Sequence, residues 1–255
     1  MADLEVDQQG AVLHLRFNRP AAHNALDAEM TDLLASRLEQ AQGRDDVRVV
    51  VLSGNGPAFC AGADIGGAQA QDRFDASSLD RAARVVRAVT GLDQPVLAAV
   101  HGVAAGVGCS IALACDVIVA GPRASFLLAF ARIGLMPDGG ATVTAAAAIG
   151  RARAMRMGLL AEALTAQEAY DAGLVTHLAD DDFDDVVAQL TRRLAAGPPL
   201  ALAATKKAVN AATLAHLEDA FVRERRGQSL LLRTDDAAEG MRAFNEKRAP
   251  VFRGD

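Results

Sequence analysis

Short apolar segments alternate with amphipathic ones along the first half of the chain. Residues 11–17 alternate between apolar and polar side chains, the pattern of a half-buried strand. A β-branched run at 47–52 is typical of a strand buried on both faces, and further strands are predicted at 96–100 and 116–120. Helical spacing of apolar residues follows three of these four strands, at 27–38, 79–90 and 109–115. The repeated order of strand, turn and helix predicts an α/β core with crossover connections.

Beyond Gly140 the pattern becomes mostly helical. Pro198-Pro199 interrupts the chain, and residues 200–255 predict three helices and no strand. This last segment has too few apolar residues for a core of its own, so we expect it to pack on the main domain or on a neighbouring subunit. The chain is therefore divided into a core, 1–197, and a C-terminal helical region, 198–255. A polar stretch at 66–78 predicts a mobile loop.

Composition narrows the function classes. The chain has 255 residues, of which 51% are hydrophobic and 23% charged, the balance of an ordinary globular protein. A net charge of −6 with no basic cluster argues against a nucleic-acid partner. Three cysteines without CxxC spacing, and five dispersed histidines, indicate neither a disulfide framework nor a metal site. No signal peptide and no membrane-length apolar run are visible, so we expect a soluble, cytoplasmic protein without a membrane partner.

Three glycine-bearing segments follow predicted strands or precede a helix and carry the candidate chemistry. In residues 58–65, small side chains around Gly62 let a ligand approach the backbone, so the N–H of Ala63 is a candidate donor to an anion. Residues 102–108 lead into a helix, whose first N–H groups and positive dipole end suit an oxyanion. Each pattern also suits an ordinary role, a strand–helix loop for the first and close helix–sheet packing for the second.

The third segment, residues 133–140, contains the turn Pro-Asp-Gly-Gly just before a predicted helix. Asp138 in this turn has two interpretations, an N-cap of that helix or a carboxylate for acid–base chemistry. Other catalytic patterns fail, since Ser110 is outside a GxSxG elbow and the histidines lack ligand spacing. The residues alone leave both interpretations of Asp138 open.

Taken together and in this order, these segments resemble the crotonase (enoyl-CoA hydratase/isomerase) superfamily. The matching stretches span essentially the whole chain: 18–26, 58–65, 99–116, 132–140, 172–175 and 246–248. The resemblance implies a crotonase-like spiral of ββα units with a C-terminal helical trimerisation region. It also implies a homo-trimer or a dimer of trimers, and an acyl-CoA thioester substrate. Coenzyme A then enters as part of the substrate, and no separate cofactor is expected.

Carried over by position, the resemblance assigns residues to three parts of the site. The oxyanion hole would be the backbone N–H groups of Ala63 and Val107, in agreement with the glycine segments themselves. The cradle for coenzyme A would comprise Ala22, His23, Ala25, Ala61, Asp64 and Ile65, with Phe244 and Lys247 contributing near the C-terminus, often across a subunit boundary. The acyl pocket would include Gly106, Ser110 and Phe130.

The acid–base groups decide which reaction of the superfamily the chain performs. Members that hydrate 2-enoyl-CoA resemble one another in using two glutamates, and the matching positions here are Ser110 and Phe130. No glutamate occurs between Glu39 and Glu162, so a shifted alignment cannot restore the pair. Asp138 matches the catalytic carboxylate of many enoyl-CoA isomerases, for which one carboxylate suffices.

The resemblance therefore favours an isomerase that moves a 3-enoyl double bond to the 2-position, with Asp138 as the proton shuttle. A ring-opened or ring-expanding intermediate of aromatic degradation is included as a possible substrate. Two alternatives stay open. One is a hydratase, or another acyl-CoA reaction, in which Ser110 or a bound water replaces the glutamates. The other is a non-catalytic acyl-CoA binder with an intact oxyanion frame.

Overall fold

The computed structural model describes residues 3–66 and 75–255, which form strands in two sheets and helices around them. The strands are β1 Leu4–Gln9, β2 Val12–Phe17, β3 Val49–Gly54, β4 Ala58–Cys60, β5 Val96–Val100, β6 Val103–Ala105, β7 Val117–Ala120, β8 Ser125–Leu127, β9 Leu164–Thr165 and β10 His177–Leu178. The α-helices are α1 Ala28–Ala41, α2 Ala76–Gly91, α3 Val107–Ala114, α4 Ala141–Leu160, α5 Ala166–Ala172, α6 Phe183–Ala196, α7 Pro199–Thr213, α8 Leu217–Leu231 and α9 Asp235–Asn245. Two 3₁₀ turns, Pro20–Ala22 and Ala129–Ile133, complete the described elements.

Successive strand pairs are divided between the two sheets. The larger sheet has the order β1-β2-β3-β5-β7-β10 and the smaller one β4-β6-β8-β9. Pairing is parallel except between β1 and β2 and between β8 and β9. The pairs β3–β4, β5–β6 and β7–β8 each place one strand in each sheet and then continue into α2, α3 and α4. This arrangement confirms the predicted α/β fold built as a spiral of ββα units.

The smaller sheet determines where the glycine segments lie. Strands β4, β6 and β8 are parallel neighbours, with Ala58 opposite Val103 and Ala105 opposite Leu127. The carboxyl ends of parallel neighbours lie at one edge of a sheet, where ligands commonly bind. The segments that follow the three strands therefore meet at this edge, although they are far apart in the sequence.

The predicted elements agree with the structure where they are long. The helix predicted from Asp27 begins at Ala28, and the Asp27 carboxylate accepts a hydrogen bond from the N–H of Met30 at 2.8 Å, as an N-cap does. Strand β5 occupies the predicted residues. The strands β4, β6, β8, β9 and β10 were not predicted, because they have only two or three residues, too few to show a period. Strand β1 has six residues but was also not predicted, because most of its side chains are polar and exposed.

One boundary in the predicted mobile loop is corrected. Helix α2 begins at Ala76 rather than at 79, because Asp75 accepts hydrogen bonds from the N–H groups of Ser77 and Ser78. Residues 76–78 are therefore helical. Residues 67–74 of that predicted loop lie outside the described residues. None of the described helices is long and apolar enough to cross a membrane.

The C-terminal helices pack on the main domain, one of the two places predicted for them. In α7 the buried Lys206 ammonium group donates hydrogen bonds to the carbonyl oxygens of Val89 at 2.8 Å and Gln94 at 3.2 Å. It also lies 2.7 Å from the carboxylate of Asp116, which in turn accepts a hydrogen bond from the N–H of Val96. The division of the chain at residue 197 stays a prediction, although α6 ends and α7 begins there.

We expect Lys206→Ala to lower the free energy of unfolding by about 3 kcal/mol, because it leaves the Asp116 carboxylate buried without its cation. The adjacent Lys207 is the matched control, since its ammonium group pairs with Asp93 at 2.5 Å on the surface. Lys207→Ala should cost at most about 1 kcal/mol. Urea denaturation of both variants measures the difference. Equal losses would show that the Lys206 pair does not anchor the C-terminal region.

Candidate active site

The edge of the smaller sheet opens into the main cavity, with a volume of about 530 Å³. Such a volume is within the usual range of ligand pockets, roughly 300–1,000 Å³. Its walls come from the segments after β4, β6 and β8 and from α2, α8 and α9. The candidate site residues that line it are Ala22, His23, Ala25, Ala61, Ala63, Asp64, Ile65, Gly106, Val107, Phe130, Asp138 and Phe244. Apolar side chains supply most of the remaining wall, among them Leu127, Ile133, Leu135 and Met241.

Two candidate site residues do not line this cavity. Ser110 is fully buried in α3, and its hydroxyl donates a hydrogen bond to the backbone carbonyl of Asp138 at 2.8 Å. It therefore supports the Pro-Asp-Gly-Gly turn from behind, and its placement in the acyl pocket is corrected. Lys247 is exposed beyond the end of α9, and its contact with coenzyme A across a subunit boundary stays a prediction.

The two predicted oxyanion donors lie on backbone segments that touch. Gly62 has a φ of +95°, and a Cβ atom there would come within 2.8 Å of the carbonyl oxygen of Ala105. Gly106 has a φ of +52°, and its own Cβ would lie 3.8 Å from the Cα of Gly62, an ordinary van der Waals distance. Gly62 requires glycine for both its positive φ and its short contact, whereas Gly106 requires it for its positive φ. The segment after β4 is thereby packed against the start of α3.

Local pairing leaves the N–H groups of Ala63 and Val107 available. The backbone of Leu26 bonds to the carbonyl of Gly62 and to the N–H of Asp64, so the N–H of Ala63 between them is on the opposite side of the chain. Val107 is the first residue of α3, and the first N–H groups of a helix have no intrahelical acceptor. Within the described ranges no backbone hydrogen bond uses either group. Both lie in the cavity wall, as an oxyanion hole requires.

The segment before α1 is held against β4 by a buried asparagine. The amide nitrogen of Asn24 donates to the carbonyl oxygens of Ala58 at 2.7 Å and of Phe59 at 3.2 Å. Its amide oxygen accepts from the N–H of Arg19 at 2.9 Å, and the Arg19 guanidinium donates to the Asp64 carboxylate at 2.9 Å. Asp64 is thus engaged in an ion pair at the cavity wall. His23 is exposed at the rim.

Asp138 is the buried acid of the cavity. One carboxylate oxygen, Oδ2, accepts a hydrogen bond from the side-chain amide of Gln228 at 2.9 Å. The other, Oδ1, is buried and has no hydrogen-bond partner among the described residues. The helix that follows has Gly140 as its N-cap residue, and none of its N–H groups donates to the side chain of Asp138. The N-cap interpretation of Asp138 is therefore wrong.

Glu224 in α8 performs the capping that Asp138 does not. Its carboxylate accepts hydrogen bonds from the N–H of Gly140 at 2.8 Å, and from the N–H and the hydroxyl of Thr142 at 3.2 and 2.5 Å. These bonds satisfy donors at the start of α4. Both oxygens of Glu224 are thereby occupied, and Glu224 does not line the main cavity.

Gln228 orients the Asp138 carboxylate. Its amide oxygen accepts a hydrogen bond from the N–H of Met136 at 3.0 Å, so its NH₂ group is the end that reaches Asp138. Sequence reasoning missed both Gln228 and Glu224. A signal was present, since Phe221, Glu224 and Gln228 are spaced by three and four residues on one buried face of α8. Polar side chains on such a face are buried only with partners.

Burial controls the acidity of Asp138. Removal from water raises the pKa of its carboxyl to about 7, and the charge of nearby Glu224 acts in the same direction. The hydrogen bond from Gln228 opposes this rise because it stabilises the ionised form. Near neutral pH both protonation states are therefore populated, which suits a group that takes and returns a proton. Across the described residues, no three potential metal-ligating side chains gather at one point.

We expect Asp138→Asn to stabilise the folded protein at alkaline pH. Because the folded state holds the pKa of Asp138 at about 7 instead of 3.8, ionisation costs stability as pH rises between these values. At about 1.4 kcal/mol per pKa unit, the penalty reaches several kcal/mol. The variant should therefore exceed the parent protein in free energy of unfolding at pH 8, with a smaller difference at pH 5.

Asp64→Asn is the control for that comparison, because its carboxylate pairs with Arg19 and its loss should bring no gain. Chemical denaturation at the two pH values measures both variants. An Asp138→Asn protein that is less stable than the parent at pH 8 would contradict the burial penalty.

Comparison with known proteins agrees with this architecture. A model of the enoyl-CoA hydratase/isomerase family matches residues 7–255. The chain is 38% identical to a 2,3-dehydroadipyl-CoA hydratase of Escherichia coli over 100% of both chains, and 37% identical to a 1,2-epoxyphenylacetyl-CoA isomerase of the same organism over 95% of each. A crystal structure of an enoyl-CoA hydratase from Mycobacterium avium subsp. paratuberculosis superimposes with a TM-score of 0.93, at 45% identity over 99% of each chain. The chain therefore belongs to the enoyl-CoA hydratase/isomerase family.

Proposed function

We propose that this protein is an enoyl-CoA isomerase that converts a 3-enoyl-CoA thioester to the 2-enoyl isomer. The observation that carries the proposal is the state of Asp138 in the apolar cavity. One of its oxygens is held by Gln228, the other has no partner among the described residues, and its pKa is about 7. The other acid of the described cavity wall, Asp64, is engaged by Arg19. A single available carboxylate matches a reaction that moves one proton.

In the proposed mechanism the substrate's thioester oxygen accepts hydrogen bonds from the N–H groups of Ala63 and Val107. The ionised Asp138 removes a proton from C2, and the electron pair of that C–H bond moves to form the enolate. Loss of one such oxyanion donor typically costs about 2.7–4 kcal/mol in the transition state. The protonated Asp138 then delivers a proton to C4, the double bond forms between C2 and C3, and the carbonyl is restored.

Hydration is disfavoured because it requires one group to activate water and another to deliver a proton. Glu224 is close enough for its charge to act on Asp138, but both its oxygens are bound at the start of α4. Phe130 presents an apolar ring to the cavity, which excludes water from the reacting atoms. The names of the relatives do not decide the reaction, since a hydratase and an isomerase are similar to this chain at nearly equal identity.

The proposed substrate is an acyl-CoA thioester, held by the cradle at Ala22, His23, Ala25 and Ala61 with Ile65 and Phe244. An apolar cavity of this volume accommodates an acyl or cyclic group. We further propose a homo-trimer or a dimer of trimers. Exposed apolar side chains on the C-terminal helices and tail support self-association: Leu200, Val209, Leu230 and Phe252.

The purified protein should raise the ultraviolet absorbance of a 3-enoyl-CoA solution, because isomerisation creates a conjugated thioester. A short 2-enoyl-CoA should show no decrease in absorbance. Asp138→Asn should reduce kcat by about 10²–10⁴-fold, as expected for loss of a general base. In the parent protein kcat/KM should rise with pH and level off above about 7, where Asp138 is ionised.

Falling absorbance with the 2-enoyl-CoA would indicate hydration and overturn the isomerase proposal. Retention of acyl-CoA without turnover of either substrate would indicate a binder. Full turnover by Asp138→Asn would remove Asp138 from the mechanism while leaving the reaction intact.

Gln228→Met should shift the midpoint of the pH profile of kcat/KM upward by about one to two units, since a hydrogen bond to a charged group contributes about 1.5–3 kcal/mol. The plateau rate should fall less than in Asp138→Asn, because the carboxylate remains but loses its orientation. Arg226→Met, at an exposed position of the same helix, is the control. An unchanged midpoint in Gln228→Met would show that Gln228 does not tune Asp138.

A further inference from the structure

A second, smaller cavity lies in the groove between α2 and α8. Its volume is about 70 Å³. Helix α2 contributes Leu79, Asp80, Ala83 and Arg87, and helix α8 contributes Phe221, Val222, Glu224 and Arg225. Asp138 and Gly139 complete the lining. We refer to this space as the groove cavity.

The groove cavity and the main cavity share a wall. Asp138 and Leu79 line both of them, so the two spaces are separated by these two residues. Ala83, Glu224 and Asp138 are buried at the inner end of the groove cavity. Its outer end is formed by exposed residues: Asp80, Arg87, Val222 and Arg225. The groove cavity therefore extends from the buried acid of the proposed active site towards solvent.

The chemistry of the groove cavity suits water. Its volume is several times the roughly 10–15 Å³ that one water molecule requires on this measure, and a stable site needs two to four polar partners. The outer end carries the ion pair between Asp80 and Arg225, with a nitrogen–oxygen distance of 2.8 Å. Arg87 pairs with Glu218 at 2.8 Å and lies 4.5 Å from the centre of the Phe221 ring. The outer end thus carries charged groups, and the inner end carries the Oδ1 atom of Asp138, which has no partner among the described residues.

We propose that the groove cavity holds water molecules that exchange the proton on Asp138 with bulk solvent while an acyl group fills the main cavity. This inference rests on the proposed isomerase function. After Asp138 has taken the C2 proton, one proton leaves the carboxyl group for the water chain and one returns from it. The net change in protons and charge is zero, so the exchange competes with delivery of the original proton to C4.

The origin of the hydrogen at C4 of the product shows whether Asp138 exchanges its proton through the groove cavity. Without this second access, an apolar substrate would isolate Asp138 from solvent, and the proton taken from C2 would be the one delivered to C4. With it, a fraction of the product carries a solvent-derived hydrogen. That fraction depends on the groove cavity, whereas the rate of isomerisation depends on the main cavity.

The test measures deuterium at C4 of the product by mass spectrometry, at early conversion of a 3-enoyl-CoA in D₂O. Ala83 lines the groove cavity but not the main cavity, so Ala83→Leu should fill only the former. This variant should lower the solvent deuterium incorporated per turnover several-fold, while kcat changes little. Arg225→Ala removes the ion pair at the outer end of the groove cavity. It should therefore raise the amount of solvent deuterium incorporated per turnover. Arg223→Ala, on the same helix and outside the groove cavity, is the matched control and should match the parent protein.

Equal deuterium incorporation in the parent protein and Ala83→Leu, with turnover intact, would overturn the proposal. Should Ala83→Leu fail to fold, Arg225→Ala decides alone, and incorporation no higher than in Arg223→Ala would also overturn it.

A second measurement separates this proposal from the proposed function. With a saturated acyl-CoA in the main cavity at acidic pH, infrared spectroscopy follows the protonated Asp138 carboxyl after transfer into D₂O. Exchange that is slower in Ala83→Leu than in the parent protein supports the water path even if no enoyl-CoA is turned over. Identical exchange in the two proteins contradicts it.

Discussion

The close approach of Gly62 to Gly106 is the constraint on which the proposed active site depends. It brings the segment after β4 against the start of α3, so that the N–H groups of Ala63 and Val107 enter one cavity wall. The approach is possible because β4 and β6 are parallel neighbours and end at the same edge. A side chain at Gly62 would meet the carbonyl oxygen of Ala105 and separate the two segments, and with them the two donors. Backbone geometry, rather than any side-chain chemistry, thus forms the proposed oxyanion hole.

The side-chain part of the site depends on α8. Gln228 and Glu224 reach the turn between β8 and α4 from a helix near the end of the chain, where one holds the Asp138 carboxylate and the other caps α4. Because Gln228 binds only one oxygen of Asp138 and Glu224 binds the helix instead, the Asp138 carboxylate is buried with its other oxygen unpaired. Burial of the ionised carboxylate is unfavourable for folding, and it raises the pKa of Asp138 to about 7. The same state makes Asp138 suitable for proton transfer at neutral pH.

The parts of this site that the sequence predicted were local or came from the resemblance to a family. The Asp27 cap and the strand at 96–100 followed from periodicity. Ala63 and Asp138 were candidates because of their glycine-bearing segments, and the resemblance added Val107. Ser110 was misplaced, because the residues around it do not show that its hydroxyl bonds to the carbonyl of Asp138. Gln228 was missed because its partner is 90 residues away, and only tertiary packing unites them.

The 90 residues that separate Asp138 from Gln228 affect the order in which the site forms during synthesis. During synthesis Asp138 emerges well before α8, whose Gln228 donor completes its surroundings only when the last helices dock. Until then the start of α4 lacks its Glu224 cap and the carboxylate stays hydrated, with the acidity of an ordinary aspartate. A nascent chain that has not yet produced α8 thus lacks both the cap of α4 and the amide that holds the Asp138 carboxylate.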